Sequence, residues 1–268
     1  TFMYSAGDAR NRLEGKPPVA PGPPRSLCRT EFVIEPVHLP NEASYPGLKE
    51  FLRQDELKKH TAEVEQARSA TAAATIAVEQ ATSKLAELRM QLTGPATAAN
   101  QPTLDSLHAA DHAVVLSRVE AKIAAANLLL MQTRLDSLLS RIAADDARYR
   151  AIGNVDLMTN LASRAERQAV LAAVEQAALV AEKRAVIAEQ KLAITDRSDE
   201  ATLNAVKQEA AKAVQDLQAA RTSLDTARSG LNAADSTYTA LSPSYPTTSS
   251  GRRLALARWI AHRDNPLT

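Results

Sequence analysis

The sequence predicts an all-α fold: a long antiparallel four-helix coiled-coil arm, with an irregular Pro-rich N-terminal segment and a short C-terminal helix. Three observations lead to this prediction. Apolar or small residues recur at alternating spacings of three and four across most of residues 47–241, which is the 3.5-residue period of a coiled-coil seam. Aromatic residues make up only 3% of a chain that is 45% hydrophobic, because alanine, the best helix former, supplies much of that total. Short segments with Gly, Pro or clustered polar residues interrupt the pattern.

The first two predicted helices each carry one seam. At about 1.5 Å per residue, the first seam alone spans roughly 50 Å. Thr93-Gly94-Pro95 ends the first helix, because Gly favours the position after a helix and Pro cannot continue one. Pro102 and Thr103 open the second helix. The first seam consists of Leu57, His60, Val64, Ala67, Thr71, Ala74, Val78, Ala81, Leu85, Leu88 and Leu92. The second consists of Leu107, Ala110, Val114, Ser117, Ala121, Ala124, Leu128, Met131, Leu135, Leu138, Ile142 and Tyr149, interrupted only by the polar Asp145.

Two further helices follow the break at Gly153-Asn154. A polar turn at residues 195–199 separates them and offers N-cap residues to the fourth helix. The third seam consists of Leu171, Val174, Ala178, Ala181, Ala185, Ala188 and Leu192. The fourth consists of Leu203, Val206, Ala210, Ala213, Leu217, Ala220, Leu224, Ala227, Leu231, Ala234, Tyr238 and Leu241. Small residues at alternate layers let two helix backbones approach closely.

Short connections between the helices favour antiparallel neighbours. Four passes return the chain to its start, so we expect Tyr45-Pro46 and Tyr245-Pro246 to lie near each other, as in an insertion into a host domain. The predicted boundaries are residues 1–46 for an irregular, extended lead-in of the host domain, 47–241 for the coiled-coil insertion, and 242–268 for a linker and the first helix of the C-terminal host domain. The pattern leaves open whether the helices form a single four-helix bundle or two hairpins.

The flanking segments have a different character. Pro17, Pro18, Pro21, Pro23 and Pro24 indicate an extended connector. Two β-like runs, residues 1–4 and 32–34, need partner strands from outside the chain. An amphipathic helix is predicted over residues 251–262, with Leu254, Leu256, Trp259 and Ile260 as its apolar residues. Because the chain begins at Thr1 and breaks off at Thr268 without a cap, we expect it to be an internal piece of a larger protein.

Composition excludes several classes of function. The 32 Lys and Arg residues are balanced by 31 Asp and Glu residues, so no basic excess favours nucleic acid or an anionic membrane as a partner. No stretch has the length of apolar residues that a transmembrane helix requires. The single cysteine, Cys28, excludes an internal disulfide framework and a four-Cys metal site. The remaining partners are other domains of the same chain, a protein partner, or a second copy that associates through the helical seams.

The metal candidates are His108 and His112, which stand at positions i and i+4 with Asp111 between them. This spacing places both imidazoles on one helix face, as a zinc site requires. The seam positions of Leu107 and Val114, however, turn both histidines toward solvent, and no third ligand is indicated. The prediction is therefore that this chain holds no metal and no cofactor.

Other chemical candidates also have structural interpretations. Adjacent residues on a helix point about 100° apart, so Asp145 and Asp146 do not form a facing carboxylate pair. We expect a solvated face there, with Asp145 paired to Arg141 or Arg148. His60 occupies a seam position, where a polar residue commonly fixes register. The sequence predicts no catalytic residue, and the chain itself is not expected to be an enzyme.

The last candidates lie at the C-terminal end of the chain. Arg252 and Arg253, in the first turn of the last predicted helix, could bind an anion or pair with carboxylates of the host domain. Asn265, a few residues further on, completes this candidate anion or host contact.

A resemblance to a known family lies at the two ends of the chain. The C-terminal run is Ser250-Gly251-Arg252-Arg253-Leu254-Ala255-Leu256-Ala257-Arg258-Trp259-Ile260, continued by Asp264-Asn265-Pro266-Leu267-Thr268. The N-terminal part carries Tyr4 and Gly7-Asp8-Ala9-Arg10-Asn11, followed by the proline cluster. These segments resemble the opening of, and the lead-in to, the planctomycete PSD-type domain of unknown function, a cytochrome-c-associated family. Tyr45-Pro46-Gly47-Leu48 and the Ala-rich coil resemble members with a helical insertion before that domain.

The resemblance implies an exported cell-envelope protein, located in the periplasm or at the cell surface, with a haem domain elsewhere in the parent. No Cys-x-x-Cys-His motif for haem attachment occurs in this chain. Two hypotheses for function follow. The first is a structural or interaction coiled-coil module within a larger envelope protein. The alternative is a part of an envelope redox or hydrolytic enzyme whose active site lies mainly outside this chain.

Overall fold

The structure, a computed structural model, describes residues 34–91, 101–195, 200–233 and 235–262. It is an all-α structure with two very short strands. Its helices are α1 (Asn41–Ser44), α2 (Glu50–Gln91), α3 (Gln101–Arg150), α4 (Val155–Ile194), α5 (Glu200–Gly230) and α6 (Arg252–Ile260), and its strands are β1 (Val37–His38) and β2 (Thr248–Ser249). A 3₁₀ turn, Pro46–Leu48, precedes α2. The predicted Pro-rich segment lies outside the described residues.

The chain divides into two compact units. One is residues 47–243, which contains α2 to α5, and the other has residues 34–46 and 244–262 as its described parts. The long helices end close to the predicted breaks. Asn154 caps α4 through a hydrogen bond from Leu157 N to its side chain, at 3.0 Å, as expected for an Asn before a helix. None of the described helices is long and apolar enough to cross a membrane.

The four long helices are antiparallel and packed in a row. Each packs against its neighbour in sequence, α2 on α3, α3 on α4 and α4 on α5. Their direction is fixed by pairs at opposite ends: Arg89 binds Asp111 where α2 ends, and Arg53 binds Asp146 where α2 begins. Among the described residues no packed interface joins α2 to α5. The arrangement is therefore an open row of helices, neither a closed bundle nor two separate hairpins.

The outer helices confirm the predicted seams. Every seam residue of α2 from Leu57 to Leu88 is buried or half-buried, and only Arg53 and Glu63 join them. In α5 the non-exposed residues are the predicted seam, Leu203 to Ala227, together with the terminal Gly230. A helix that buries only one line of side chains packs against a single neighbouring helix.

The inner helices have a second seam that the sequence analysis missed. In α3 a second 3–4 series lies on the side that faces α4, and it consists of Val119, Ile123, Ala126, Leu130, Thr133, Ser137, Ser140 and Ala144, all buried or half-buried. All buried residues of α4 are Ala or Ser. Their small side chains let α3 and α4 approach closely. Three of its eight members, Thr133, Ser137 and Ser140, are polar, so apolar spacing alone does not mark this series.

The predicted length of the fourth helix is wrong. Helix α5 ends at Gly230, and residues 235–240 form no helix; Ala234 lies outside the described residues. At this level the seam of α4, counted back from Leu171 at the same spacing, reaches the charged Arg167 and Arg164 in place of apolar residues.

The segment ends where Ser242 accepts a hydrogen bond from Gly47 N. It leaves the helical conformation although its apolar spacing continues.

In the other unit, β1 and β2 form a two-residue antiparallel ladder that pairs Val37 with Ser249 and His38 with Thr248. Next to it, Tyr245 N donates a hydrogen bond to Ser44 O at 2.7 Å. The segments around Tyr45 and Tyr245 therefore do meet, as the even number of passes predicted. The β-like run at residues 1–4 lies outside the described residues, and so does most of the run at 32–34.

Helix α6 forms within the predicted range but does not bury the predicted apolar face. Leu254, Leu256 and Ile260 are exposed, and Ala255 is its buried residue. Gly251 precedes the helix with a left-handed backbone, φ 72°. A Cβ at this position would collide with the Glu35 carbonyl oxygen, so both the conformation and the close approach require glycine.

Candidate functional site

The polar contacts of the unit 47–243 concentrate where α2 begins and α3 ends. Arg53, on the first turns of α2, is 5% exposed. Its Nε donates to Gly47 O at 2.7 Å, and its guanidinium pairs with Asp146 Oδ1 at 2.9 Å. Arg150 lies 3.4 Å from the same carboxylate and donates to Leu48 O at 2.8 Å. These charged groups fix the 3₁₀ turn to the end of α3, and we call them the basal ion cluster (Arg53, Asp146 and Arg150).

Beside this cluster the chain after α5 runs without regular secondary structure against α3 and α4. We call residues 235–242 the strap. Arg141 of α3 donates to Thr239 O at 2.7 Å and to Ala240 O at 3.2 Å. Glu166 of α4 accepts from Thr239 N at 3.1 Å and lies 3.4 Å from Arg141. An ion pair between the two helices thus binds both backbone groups of one strap residue.

The start of the strap is bound by α4. Ser163 Oγ donates to Asp235 O at 2.8 Å, and Arg167 donates to the same oxygen at 3.0 Å. The Asp235 carboxylate accepts from Thr237 Oγ1 at 2.7 Å and from Thr237 N at 2.9 Å. These hydrogen bonds to its charged form, chiefly the one from the Thr237 hydroxyl, hold the pKa of Asp235 below its usual range.

The tyrosine of the strap is bound by a buried carboxylate. The hydroxyl of Tyr238 donates to Asp145 Oδ1 at 2.8 Å. Asp145 is only 1% exposed, so the expectation of a solvated Asp145 is wrong: the carboxylate lies under the strap. Burial, and then the bond to this carboxylate, raise the pKa of the Tyr238 hydroxyl well above its usual range.

These contacts bind the peptide backbone of the strap. Asp145 and Asp146 hold different partners, Tyr238 and Arg53, so they do not work as a pair, in agreement with their adjacent positions. The groups that contact the strap backbone are two guanidinium groups, one carboxylate and one hydroxyl, which together bind carbonyl oxygens and an N–H. Charge-assisted hydrogen bonds of this kind are stronger than neutral ones.

The predicted metal candidates lie at the other end of α3. His108 is exposed and His112 half-buried, and both line a shallow groove between α2 and α3. Asp111 lies between them, but its carboxylate pairs with Arg89 at 2.8 Å. Within the described ranges no three His, Cys, Asp or Glu side chains converge to hold a metal ion. The pair thus has no third protein ligand there.

The predicted anion contact is only partly described. Arg252 and Arg253 are exposed and form the first turn of α6, as predicted. The N-cap of that helix, Gly251, supplies no side-chain cap. Asn265 lies outside the described residues.

The seam histidine, His60, is half-buried on α2. Its Nδ1 lies 3.1 Å from Oε2 of Glu63, which is one turn further along the same helix.

Sequence reasoning missed the strap contacts. Arg141, Ser163, Glu166 and Arg167 had no spacing that marked them, since they act on a segment about 70 to 100 residues away. The available signal was the Thr- and Ser-rich stretch after Leu231, whose poor helix propensity conflicts with the seam spacing. No family model, curated protein or solved structure matches this chain. The family resemblance therefore stays a prediction.

Proposed function

We propose that residues 47–243 form a structural and interaction arm: a rigid row of helices that sets a distance between parts of a larger protein and presents helix faces to a partner. The supporting observation is the open row itself. Helices α2 and α5 each bury one seam against one neighbour. Their outward faces remain open along helices of 42 and 31 residues.

A spacer must resist bending, and two features support that property. The helices are antiparallel over most of their length, which couples each one to its neighbour turn by turn. Ion pairs repeat along the interfaces, as Glu120–Lys183 does between α3 and α4 and Glu209–Lys191 between α4 and α5. Exposed pairs of this type add little stability, so the seams supply most of it.

The rigid-arm proposal is tested by a distance measurement on the full chain. Spin labels at Gln54→Cys and Glu87→Cys, both exposed on α2, are placed in a Cys28→Ser background. The expected result is a narrow distribution of distances near 50 Å, from about 1.5 Å per residue. A broad distribution, or one centred far below this value, would contradict a rigid spacer.

The interaction part of the proposal needs its own measurement. The mass of the full chain in solution, determined by light scattering over a range of concentrations, reports association between copies. A mass that stays at 28.8 kDa would remove self-association through the helix faces and leave another protein, or another domain of the parent, as the partner. A rise toward twice this mass would support self-association.

The parent is proposed to be an exported cell-envelope protein with a haem domain elsewhere. The support is the resemblance at the two ends of the chain. Sequencing the gene outward in both directions tests it. A signal peptide and a Cys-x-x-Cys-His motif upstream would agree with the proposal, whereas a start codon just before Thr1 and a stop codon just after Thr268 would remove it.

A further inference from the structure

The strap is bound as a separate peptide would be bound. Residues 235–240 are bound by side chains of α3 and α4. Three carbonyl oxygens and one N–H group of this stretch are bound, those of Asp235, Thr239 and Ala240. Backbone groups are alike in every sequence, so selectivity must come from side chains: Tyr238, whose hydroxyl donates to the buried Asp145, and Ser242, whose Oγ accepts from Gly47 N.

The groove that holds the strap is built without it. Arg141 and Asp145 lie on α3, and Ser163, Glu166 and Arg167 lie on α4, the two helices that form the most extensive interface in the row. Arg141 and Glu166 pair with each other across that interface. Arg167 also donates to Ser163 Oγ at 2.8 Å. The binding groups are therefore positioned by the packing of the two helices.

The strap itself is open to solvent on its outer side. Asp235, Ser236, Thr237, Thr239 and Ala240 are all exposed, and Tyr238 is half-buried. Single hydrogen bonds at partly exposed positions contribute modestly, so the strap can separate from the groove at a far smaller free-energy cost than the helices can separate from one another.

We propose that the groove between α3 and α4 is a binding site for an extended, tyrosine-containing segment, filled in cis by the strap, and that the strap of a second copy of this chain can fill it in place of the chain's own. A second copy presents the same residues, so the exchange needs no new contact, which makes segment exchange a low-cost route to association. This inference uses the strap and not the helix seams, so it stands apart from the proposed function.

A strap that belongs to the same chain has a concentration advantage over the strap of a second copy. A tethered segment experiences an effective concentration on the order of millimolar, so in the unaltered chain the groove keeps its own strap at ordinary protein concentrations. Exchange becomes visible when one copy lacks a usable strap and the other lacks a usable groove. This condition defines the experiment.

Two full-length variants meet that condition. In the groove variant, Arg141→Ala removes the guanidinium that binds the carbonyl oxygens of Thr239 and Ala240, and Asp145→Leu removes the acceptor of the Tyr238 hydroxyl. In the strap variant, Tyr238→Ala and Thr239→Pro remove the tyrosine and the N–H that Glu166 accepts. Circular dichroism first checks that both retain the helix content of the unaltered chain. Mixed in equal amounts, they should form a complex of one copy each, with a mass near twice 28.8 kDa. Neither variant should form such a complex on its own by strap exchange.

The matched control carries all four substitutions in one chain and is mixed with the unaltered chain. It offers neither groove nor strap, so no complex is expected. A complex that forms equally in this control would overturn the proposal, because another surface would then be responsible. Failure of the two helical variants to associate would also overturn it.

A peptide measurement gives a readout that association through the helix faces cannot imitate. A fluorescently labelled peptide of residues 235–243 should bind the strap variant. It should bind the groove variant at least about 10-fold more weakly, because several hydrogen bonds are missing. A Tyr-to-Phe version of the peptide should bind the strap variant more weakly than the parent peptide. Equal binding of the peptide to both variants, or none to the strap variant, contradicts the proposal.

Discussion

Helix α5 and the strap follow the same helix, α4, one after the other, yet they are held by different forces. Helix α5 buries a line of Leu, Val and Ala against the small residues of α4. The strap buries little and is fixed by hydrogen bonds that Arg141 and Arg167 donate and that Glu166 accepts. The apolar spacing continues from one into the other through Leu231, Tyr238 and Leu241. The difference teaches that the surface offered by the partner helix decides which conformation the same spacing adopts.

The comparison extends to the whole unit. The seams act over the full length of the helices through many small contributions, each set by buried apolar area. The polar contacts act at one end, where a few charged groups bind backbone carbonyls that would otherwise lack partners. We expect the two kinds of contact to fail differently: loss of a seam residue should cost stability in proportion to the cavity, and loss of a buried charge should leave its partners unpaired.

The largest loss of stability is expected from a substitution in the basal ion cluster. Arg53→Ala leaves the Gly47 carbonyl without its donor and Asp146 without its nearest cation. Breaking a buried ion pair costs about 3–5 kcal/mol, and we expect about 3 kcal/mol because Arg150 still faces Asp146. Urea denaturation of the full chain, followed by circular dichroism, measures the change in the free energy of unfolding.

The control for that prediction lies on the same helix. Arg68 forms an ion pair with Glu65 in which both side chains are about 60% exposed. Arg68→Ala should change the free energy of unfolding by less than about 0.5 kcal/mol. Equal effects of the two substitutions would show that burial of Arg53 does not matter, and the distinction between the polar end and the exposed faces would fail.

The next effect concerns a seam. Leu85 is buried with Ala110 and Val114 where α2 meets α3. Leu85→Ala should lower the free energy of unfolding by about 2–3 kcal/mol, since it removes buried methyl groups and leaves a cavity. Ile76→Ala, at a position that is 52% exposed on the same helix, should cost well under 1 kcal/mol. A reversed order of the two would contradict the seam assignment of α2.

The seams were predictable because their signal is local and repeated. In α2 and α5 the alternating spacing identified almost every sheltered residue, from Leu57 to Leu88 and from Leu203 to Ala227. The breaks were predictable for the same reason, since Gly153-Asn154 acts on its own neighbourhood. Helix α2 ends at Gln91, just before the predicted stop. The row arrangement was not predictable, because it depends on which residues form a second seam on α3 and α4.

The polar site was not predictable from spacing. Asp145 was expected to be solvated because a carboxylate on a helix is commonly exposed. It is buried because Tyr238, which lies 93 positions away, covers it. Nothing in the sequence near Arg141 and Arg167 distinguishes them from ordinary surface arginines. Their role depends on the strap that they bind. The ladder between Val37 and Ser249 likewise joins residues far apart in sequence. Such contacts exist only once the helices have returned the chain to its starting point.

A smaller effect should appear at alkaline pH. The pKa of Tyr238 is raised in the folded chain, so the folded state favours the neutral phenol more strongly than the unfolded state does. The stability that this provides is complete below the usual tyrosine pKa near 10 and is lost as the pH rises above it. Thermal unfolding between pH 8 and 11 should show a loss for the unaltered chain that is reduced in Tyr238→Phe. Identical pH profiles would show that this hydroxyl is not protected by Asp145.

The smallest effect concerns the turn that begins the strap. Thr237→Val keeps the branched shape but removes the hydroxyl that holds the Asp235 carboxylate. The pKa of Asp235, low in the unaltered chain, should rise toward its usual range but not reach it, because Thr237 N still donates to the carboxylate. Since the lowered pKa adds stability that is present above the unfolded value and lost on acidification, the variant should lose slightly less stability between neutral pH and pH 3. An NMR titration of the Asp235 carboxyl measures the shift, and an unchanged midpoint would show that the backbone bond alone sets it. In that case the first turn of the strap depends on its backbone geometry, as the rest of the strap does, and Tyr238 remains the residue whose side chain distinguishes this segment from any other extended peptide.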